Sequence, residues 1–467
     1  MKKIILLWAF ISAIPLTTRA QNFILTINTT GINADSIHFQ AFNTKKGFQD
    51  TMAVPFLSKV TIKHKATLTP GYYKVLRDTN LLFDLLISEE KKQSITVNID
   101  GEGNIVFENS PENTNCLAYN KKTKEFMDEY AELDRQYEEG QKSMPQYMLQ
   151  TLAQNLSAQA EKIAIREEAY KQTVIDANPG TLLASIVAFS KELPKPAPEM
   201  YQRRDLIVKH YAEHAFDHYP FEDGRMANTP MFVERMREFS GQLLYITPAV
   251  SSGLVNEVLT KAQANTQNYS AFYRWLEKSF GNFESPYYNE ELYLTMLRNA
   301  MAYNELEKDL VNHCKSEFNL HNKNLAGQQI SDFHVLWSDG KESKLTEVPG
   351  EFILLYFQNP DCPTCTEVRG KMAENEDLNK AIASGRLKVV TIYFERDENL
   401  WRRYLKEKAN PNYLHGWDSR AEIDAGNLYD LRAIPFMFLL DKDKKILKKD
   451  LQYNELSDYL KYYRIIE

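Results

Sequence analysis

From Glu351 to Phe357 the chain reads Glu-Phe-Ile-Leu-Leu-Tyr-Phe, and a short step later comes Cys362-Pro363-Thr364-Cys365. An apolar run of this length without alternation is the mark of a strand buried on both faces, and such strands belong to sheets covered by helices on both sides. Beyond the cysteines, Thr366 to Ser384 has apolar residues at helical spacing, Leu387 to Phe394 is a second buried strand, and Glu398 to Lys408 is again helical. Phe436 to Asp441 and Lys445-Ile-Leu then pair across the turn Asp441-Lys-Asp-Lys444, and Leu456 to Tyr463 closes as a helix. Upstream, Ile330 to Trp337 reads as a strand that returns through Ser343 to Leu345 after the tight turn Ser338-Asp-Gly-Lys341, a hairpin signal. Residues 325–467 are therefore predicted to be one domain with a cysteine pair where a buried strand passes into a helix.

That placement has chemical consequences. The attacking species in thiol–disulfide exchange is the thiolate, and a helix N-terminus favours the anion through its unpaired N–H groups and its dipole. Cys362 falls at such a terminus, and two intervening residues bring Cys365 round one turn. Cys362 is thus expected to attack and Cys365 to resolve the mixed disulfide, the two forming a redox disulfide between turnovers. Pro363 and Thr364, between them, are expected to tune the reduction potential, and Pro363 suits the first helical turn. A zinc site needs two further ligands; no second C-x-x-C occurs and the nearest histidine downstream is His415. No metal and no cofactor is expected. A permanent, inert disulfide stays open as the structural alternative.

Strand, C-x-x-C, helix, strand, helix, then Ile434-Pro435 before a hairpin resembles the layout of thioredoxin-like proteins. The leading hairpin with Asp339-Gly340 resembles the TlpA/ResA branch, whose members are extracytoplasmic thiol–disulfide oxidoreductases. The 70 residues from Cys365 to Pro435 fit that branch, which carries an insertion there. The resemblance implies that Pro435 is the family's cis-proline and that Ile434 and Pro435 bind an extended client segment beside the cysteines. It further implies a reductase rather than an oxidase, acting on protein disulfides or dithiols and exchanging electrons with a membrane partner.

Two departures from that pattern stand out. The aromatic residue that often precedes the first cysteine is replaced by Asn359-Pro360-Asp361, and the Asp361 charge opposes the helix dipole at Cys362. The buried acid that thioredoxins carry six residues before the first cysteine is replaced by Tyr356. An acid of the ResA kind would fall at Val368, with Glu367 one position out of register. No proton-transfer acid can be assigned from the sequence.

The rest of the chain differs in character. Lys2-Lys3, the apolar run Ile4 to Ile14, Pro15 and Thr18-Arg19-Ala20 form a cleavable secretory signal, so residues 1–20 are expected to be removed and the protein to be periplasmic in a Gram-negative bacterium. Removal takes Lys2, Lys3 and Arg19 with it, leaving 53 of 56 basic residues against 63 acidic ones, so the formal charge moves from −7 to −10. A surface of that sign repels nucleic acid. Residues 21–109 alternate in short runs such as Phe23-Ile-Leu-Thr-Ile27, with turn signals between, as in a small antiparallel β-sandwich. Ser110-Pro111 then reads as a helix start, and residues 110–322 are predicted to be a helical domain. The β region, the Ser110-Pro-Glu-Asn113 junction and Phe216-Asp217 with Thr229-Pro230 resemble regions found before thioredoxin-like domains in anaerobic Gram-negative bacteria. His210, His214 and His218 could share one helix face, yet they read as an ordinary surface helix. Cys116 and Cys314 read as buried thiols, with a bond between them left open. The expected architecture is multidomain, α+β and α/β: an N-terminal β-sandwich, a central all-α region and a C-terminal thioredoxin-like fold. The expected function is an extracytoplasmic thiol–disulfide oxidoreductase; the alternative is a non-catalytic scaffold in which the disulfide only stabilises the last domain.

Overall fold

The computed structural model describes residues 23–31, 34–43, 47–65 and 67–467, so the expected signal segment lies outside them. Packing divides the chain into two compact units that meet in sequence at Trp275 and Leu276.

The first unit opens with strands β1 (Phe23–Thr29), β2 (Ser36–Asn43), β3 (Gly47–Pro55), β4 (Lys59–His64), β5 (Gly71–Arg77), β6 (Asn80–Ile87), β7 (Gln93–Ile99) and β8 (Ile105–Glu108). They form two four-stranded sheets, ordered β4-β1-β7-β8 and β3-β2-β5-β6. The alternation in β1 puts Phe23, Leu25 and Ile27 into a shared core with Ile37 and Phe39. The rings of Phe23 and Phe39 stack across the two sheets at 5.6 Å. The sandwich is not wholly antiparallel as expected: β1 pairs with β7 in parallel, Phe23 opposite Gln93. Sixty-odd residues separate them, ample for the crossover that a parallel pair requires. β3 has no sequence signal because it lies at a sheet edge and its residues are half-buried or exposed.

Helices α1 (Pro111–Ser143), α2 (Gln146–Ala177), α3 (Leu182–Phe189), α4 (Arg204–His214), α5 (Pro230–Leu243) and α6 (Pro248–Ala262) follow, and α7 (Thr266–Phe280) crosses the division. Pro111 occupies the first turn of α1 as expected, but the Ser110 side chain does not cap it. Its hydroxyl instead accepts from the Asn113 amide at 2.8 Å, and Asn113 clasps both backbone groups of Leu86 at 2.7 and 2.9 Å. α4 ends at His214, which leaves His218 off the helix. His210 bonds the Pro194 carbonyl and His214 bonds Asp217. The histidine row is thus split between local partners.

The second unit begins with α8 (Glu290–Ala302) and α9 (Lys308–His321) and continues through β9 (His334–Trp337), β10 (Glu342–Lys344), β11 (Phe352–Phe357), α10 (Pro363–Glu374), α11 (Glu376–Ala383), β12 (Leu387–Tyr393), α12 (Glu398–Glu407), β13 (Leu414–Trp417), α13 (Glu422–Ala425), β14 (Phe436–Asp441), β15 (Ile446–Lys449) and α14 (Leu456–Tyr462). The seven strands form one mixed sheet, β10-β9-β13-β12-β11-β14-β15. β11 lies between a parallel β12 and an antiparallel β14. Ile353, Leu355 and Phe357 face one apolar core, while Leu354 and Tyr356 face another, so both faces of β11 are covered. The helix expected over 366–384 starts at Pro363 and is broken at Asn375, whose side chain accepts from the Leu378 N–H at 2.8 Å and so caps a new helix. The division at Trp275 and Leu276 falls inside the expected helical stretch, and α8 and α9 belong to the unit that holds this sheet. Ion pairs link the helices and the sheet. Lys449 reaches Glu290 at 2.6 Å, and Arg432 reaches Glu317 at 3.1 Å.

Candidate active site

Register brings the site together. Phe357, the last residue of β11, lies opposite Phe436, the first of β14. Pro435 therefore sits beside the point where the chain leaves the sheet toward the cysteines. The Ile434–Pro435 peptide is cis. Ile434, Pro435, Thr364 and Val368 line one groove of about 610 Å³.

The loop from Gln358 to Asp361 is held by its own amides. Asn359 Oδ1 accepts from the Asp361 N–H at 2.8 Å, and the Asn359 carbonyl accepts from the Cys362 N–H at 3.2 Å. Cys362 is the N-cap of α10, and its sulfur accepts from the Cys365 N–H at 3.3 Å. One otherwise unpaired helix N–H therefore points at the reactive sulfur, alongside the positive end of the dipole. Pro363 fills the first position of the helix, where its missing donor costs nothing. Pro363 and Thr364 are exposed, Cys362 is half-buried and Cys365 is fully buried. Both are thiols in this structure. Burial pushes the Cys365 thiol up to about 12, its contact with Cys362 adds to this, and the Asn359 N–H and Arg369 draw it back.

Tyr356 occupies the position where a thioredoxin carries an acid. Its side chain is fully buried and its hydroxyl donates to the Cys365 carbonyl at 3.1 Å. Burial, and then the neighbouring Cys365, raises the phenol well above its ordinary range, so it is a neutral donor. Glu367 is engaged with Lys371 at 2.6 Å on the outer face of α10. Val368 packs into the core. Asp361 meets Arg403 of α12 at 3.3 Å, which offsets its charge beside Cys362.

Sequence reasoning missed a polar network behind the pair. Arg369, one turn beyond Cys365, donates to Gln358 Oε1 and to Thr366 Oγ1, and lies over the Tyr404 ring at 5.3 Å. Deeper in, Thr391 bonds His415 Nδ1 at 2.7 Å and His415 Nε2 bonds the Asn410 carbonyl at 2.9 Å. Nε2 thus carries the proton and Nδ1 accepts from the threonine. Burial lowers the His415 pKa, and both ring nitrogens are engaged in these bonds. The one signal for this network was the i,i+4 spacing of Cys365 and Arg369, which puts both on one helix face.

Comparison with known proteins follows the same outline. A thioredoxin-like family matches residues 350–446, and a domain of unknown function, DUF5106, matches residues 155–324. A thioredoxin-like protein from Bacteroides caccae ATCC 43185 has a similar structure, with a TM-score of 0.54 and 25% identity, over 58% of this chain and 98% of that one. The C-terminal domain of an uncharacterized protein from Bacteroides fragilis NCTC 9343 is 33% identical over 30% of this chain and 98% of its own, with a TM-score of 0.29. A probable nucleoredoxin 3 from Oryza sativa subsp. japonica is 26% identical over 117 residues, 25% of this chain and 24% of that protein. The chain therefore spans about a quarter of that relative's length. A mixed sheet with a helix launched from a C-x-x-C, a cis-proline at the adjacent strand and the family match over 350–446 agree: the C-terminal part of this chain is a thioredoxin-like domain.

Proposed function

We propose that this protein is an extracytoplasmic thiol–disulfide oxidoreductase that reduces protein disulfides through Cys362 and Cys365. The observation that carries the reading is the asymmetry of the pair. Cys362 is reachable and faces the Cys365 N–H at 3.3 Å, whereas Cys365 is fully buried one turn inside the helix.

The Cys362 thiolate attacks one sulfur of a client disulfide; a mixed disulfide forms and the other client sulfur leaves as a thiolate. Cys365 loses its proton, attacks Cys362 and releases the second client thiol. The enzyme is left as the Cys362–Cys365 disulfide and takes two electrons and two protons from a donor, a membrane reductase in this reading. Ile434 and Pro435 hold the client backbone beside the pair, and Pro363 and Thr364 set the potential. The signal segment, residues 1–20, delivers the chain to the periplasm.

The test is trapping in a periplasmic extract. Cys365→Ser removes the resolving thiol and should accumulate mixed disulfides that mass spectrometry maps to Cys362. Cys362→Ser should trap almost nothing. Equal trapping by the two variants, or none by either, refutes the exchange mechanism and leaves a scaffold with a structural disulfide as the better reading.

A further inference from the structure

The groove beside Pro435 is not built by the matched thioredoxin-like segment alone. Residues 350–446 supply the side formed by α10 and the strand after Pro435. Phe283 and Tyr288, which precede α8 and lie within the segment matched as DUF5106, form another wall, and Asp450 and Tyr453 lie beyond the matched residues at its other end. The rings of Phe283 and Tyr288 meet at 4.5 Å, half-buried, so they offer a firm aromatic surface. Tyr453 is fixed by donating to the Lys371 carbonyl at 3.1 Å.

Two charged residues line the groove, Asp450 and Lys371, and Lys371 is paired with Glu367 at 2.6 Å. Asp450 Oδ1 accepts from the Gln452 amide at 2.8 Å. Two nearby lysines are engaged elsewhere: Lys449 with Glu290 at 2.6 Å and Lys448 with Glu455 at 3.8 Å. A half-buried carboxyl group in one groove with two aromatic rings is matched by a cation that an apolar stem or ring accompanies.

We infer that Phe283, Tyr288 and Asp450 make this groove a selectivity site for extended client segments that carry an aromatic residue and a Lys or Arg close to the reacting cysteine. The inference rests on the exchange reading above and adds to it the class of substrate. It also assigns a task to the end of the DUF5106 segment, which is to complete the client site of the neighbouring fold.

The experiment uses the reduced full-length chain and peptides that each hold one cysteine as a mixed disulfide with thionitrobenzoate. Cys362 attacks the peptide sulfur, coloured thionitrobenzoate leaves, and Cys365 then displaces the peptide thiol. Single-turnover rates are compared for peptides bearing Phe with Lys, Phe with Glu, and Ala with Lys. The Phe–Lys peptide should react roughly tenfold faster than the Phe–Glu peptide. Asp450 has φ +52°, which asparagine tolerates, so Asp450→Asn keeps the backbone and should bring that ratio close to one. Phe283→Ala should shrink the Phe–Lys to Ala–Lys ratio. Equal rates for all peptides with the unmodified chain, or ratios unchanged in both variants, overturn the inference and leave the exchange reading intact. No reaction with any peptide or with a small aromatic disulfide overturns both.

Discussion

The Tyr356 hydroxyl donates to the Cys365 carbonyl at 3.1 Å, and both side chains are fully buried. A neutral phenol thus stands where related folds place an acid, and it fixes the first turn of α10 against the central strand without offering a base. Tyr356→Phe should lower stability by about 1 kcal/mol, the usual worth of one such bond, seen as a fall of roughly 2–4 °C in the melting midpoint. An unchanged midpoint would mean that the bond contributes nothing.

The same arrangement governs the resolving step. Cys365 is held up to about 12, so at neutral pH it is a thiol and its thiolate grows as pH rises. Release of a client from a preformed mixed disulfide should therefore accelerate with pH, up to about tenfold per unit between pH 7 and 9. Arg369→Leu removes a charge that draws Cys365 down and should slow release at every pH in that range. Stopped-flow release measurements check both, and a flat profile contradicts the assignment of Cys365 as a desolvated thiol.

Exposure sets the order of alkylation. Cys362 is half-buried and Cys365 fully buried, so iodoacetamide at pH 7 should modify Cys362 first by at least about tenfold in rate. Peptide mapping after brief labelling gives the order directly; first modification at Cys365 would reverse the roles.

A buried charge cluster joins α8 and α9 to the segment just before Pro435. His321 is fully buried and lies 3.1 Å from Glu290 and 3.3 Å from Asp430, while Arg432 reaches Asp430 at 2.8 Å and Glu317 at 3.1 Å. The bond with His321, and then the Arg432 charge, holds the Glu317 carboxyl at about 2, below its ordinary 4.5. A depressed carboxylate contributes stability that is present above its unfolded value and is lost as pH falls from about 4.5 toward 2. Glu317→Gln should be about 2 kcal/mol less stable than the unmodified chain at pH 7, and the gap should close by about pH 2. A gap independent of pH would mean that packing, not charge, is what Glu317 supplies.

Much of the thioredoxin-like part was legible because its signals are local and strong. The run from Phe352 to Phe357 has no polar residue to compete with a doubly covered strand, and Pro363 marks the first turn after Cys362. β13 was not legible: Leu414-His-Gly-Trp417 has four residues, and His415 is buried only because Thr391 and the Asn410 carbonyl satisfy its ring. The break at Asn375 was hidden by apolar spacing that continues across it. Phe283, Tyr288 and Asp450 could not be found from the sequence, since more than 60 residues separate each of them from the cysteines and only the tertiary fold gathers them in one groove. The ion pairs that link α8 and α9 to the second sheet, such as Lys449 with Glu290, are equally remote in sequence.

In the proposed cycle Cys362 and Cys365 form a disulfide that opens and closes in use. The measurement closest to it is the reduction potential of that pair in the full-length chain, equilibrated against glutathione or dithiothreitol buffers and read by differential alkylation. A catalytic pair should lie between about −120 and −270 mV, the span of working thioredoxin-like oxidoreductases. A value below about −300 mV, typical of disulfides that serve only as staples, would contradict it.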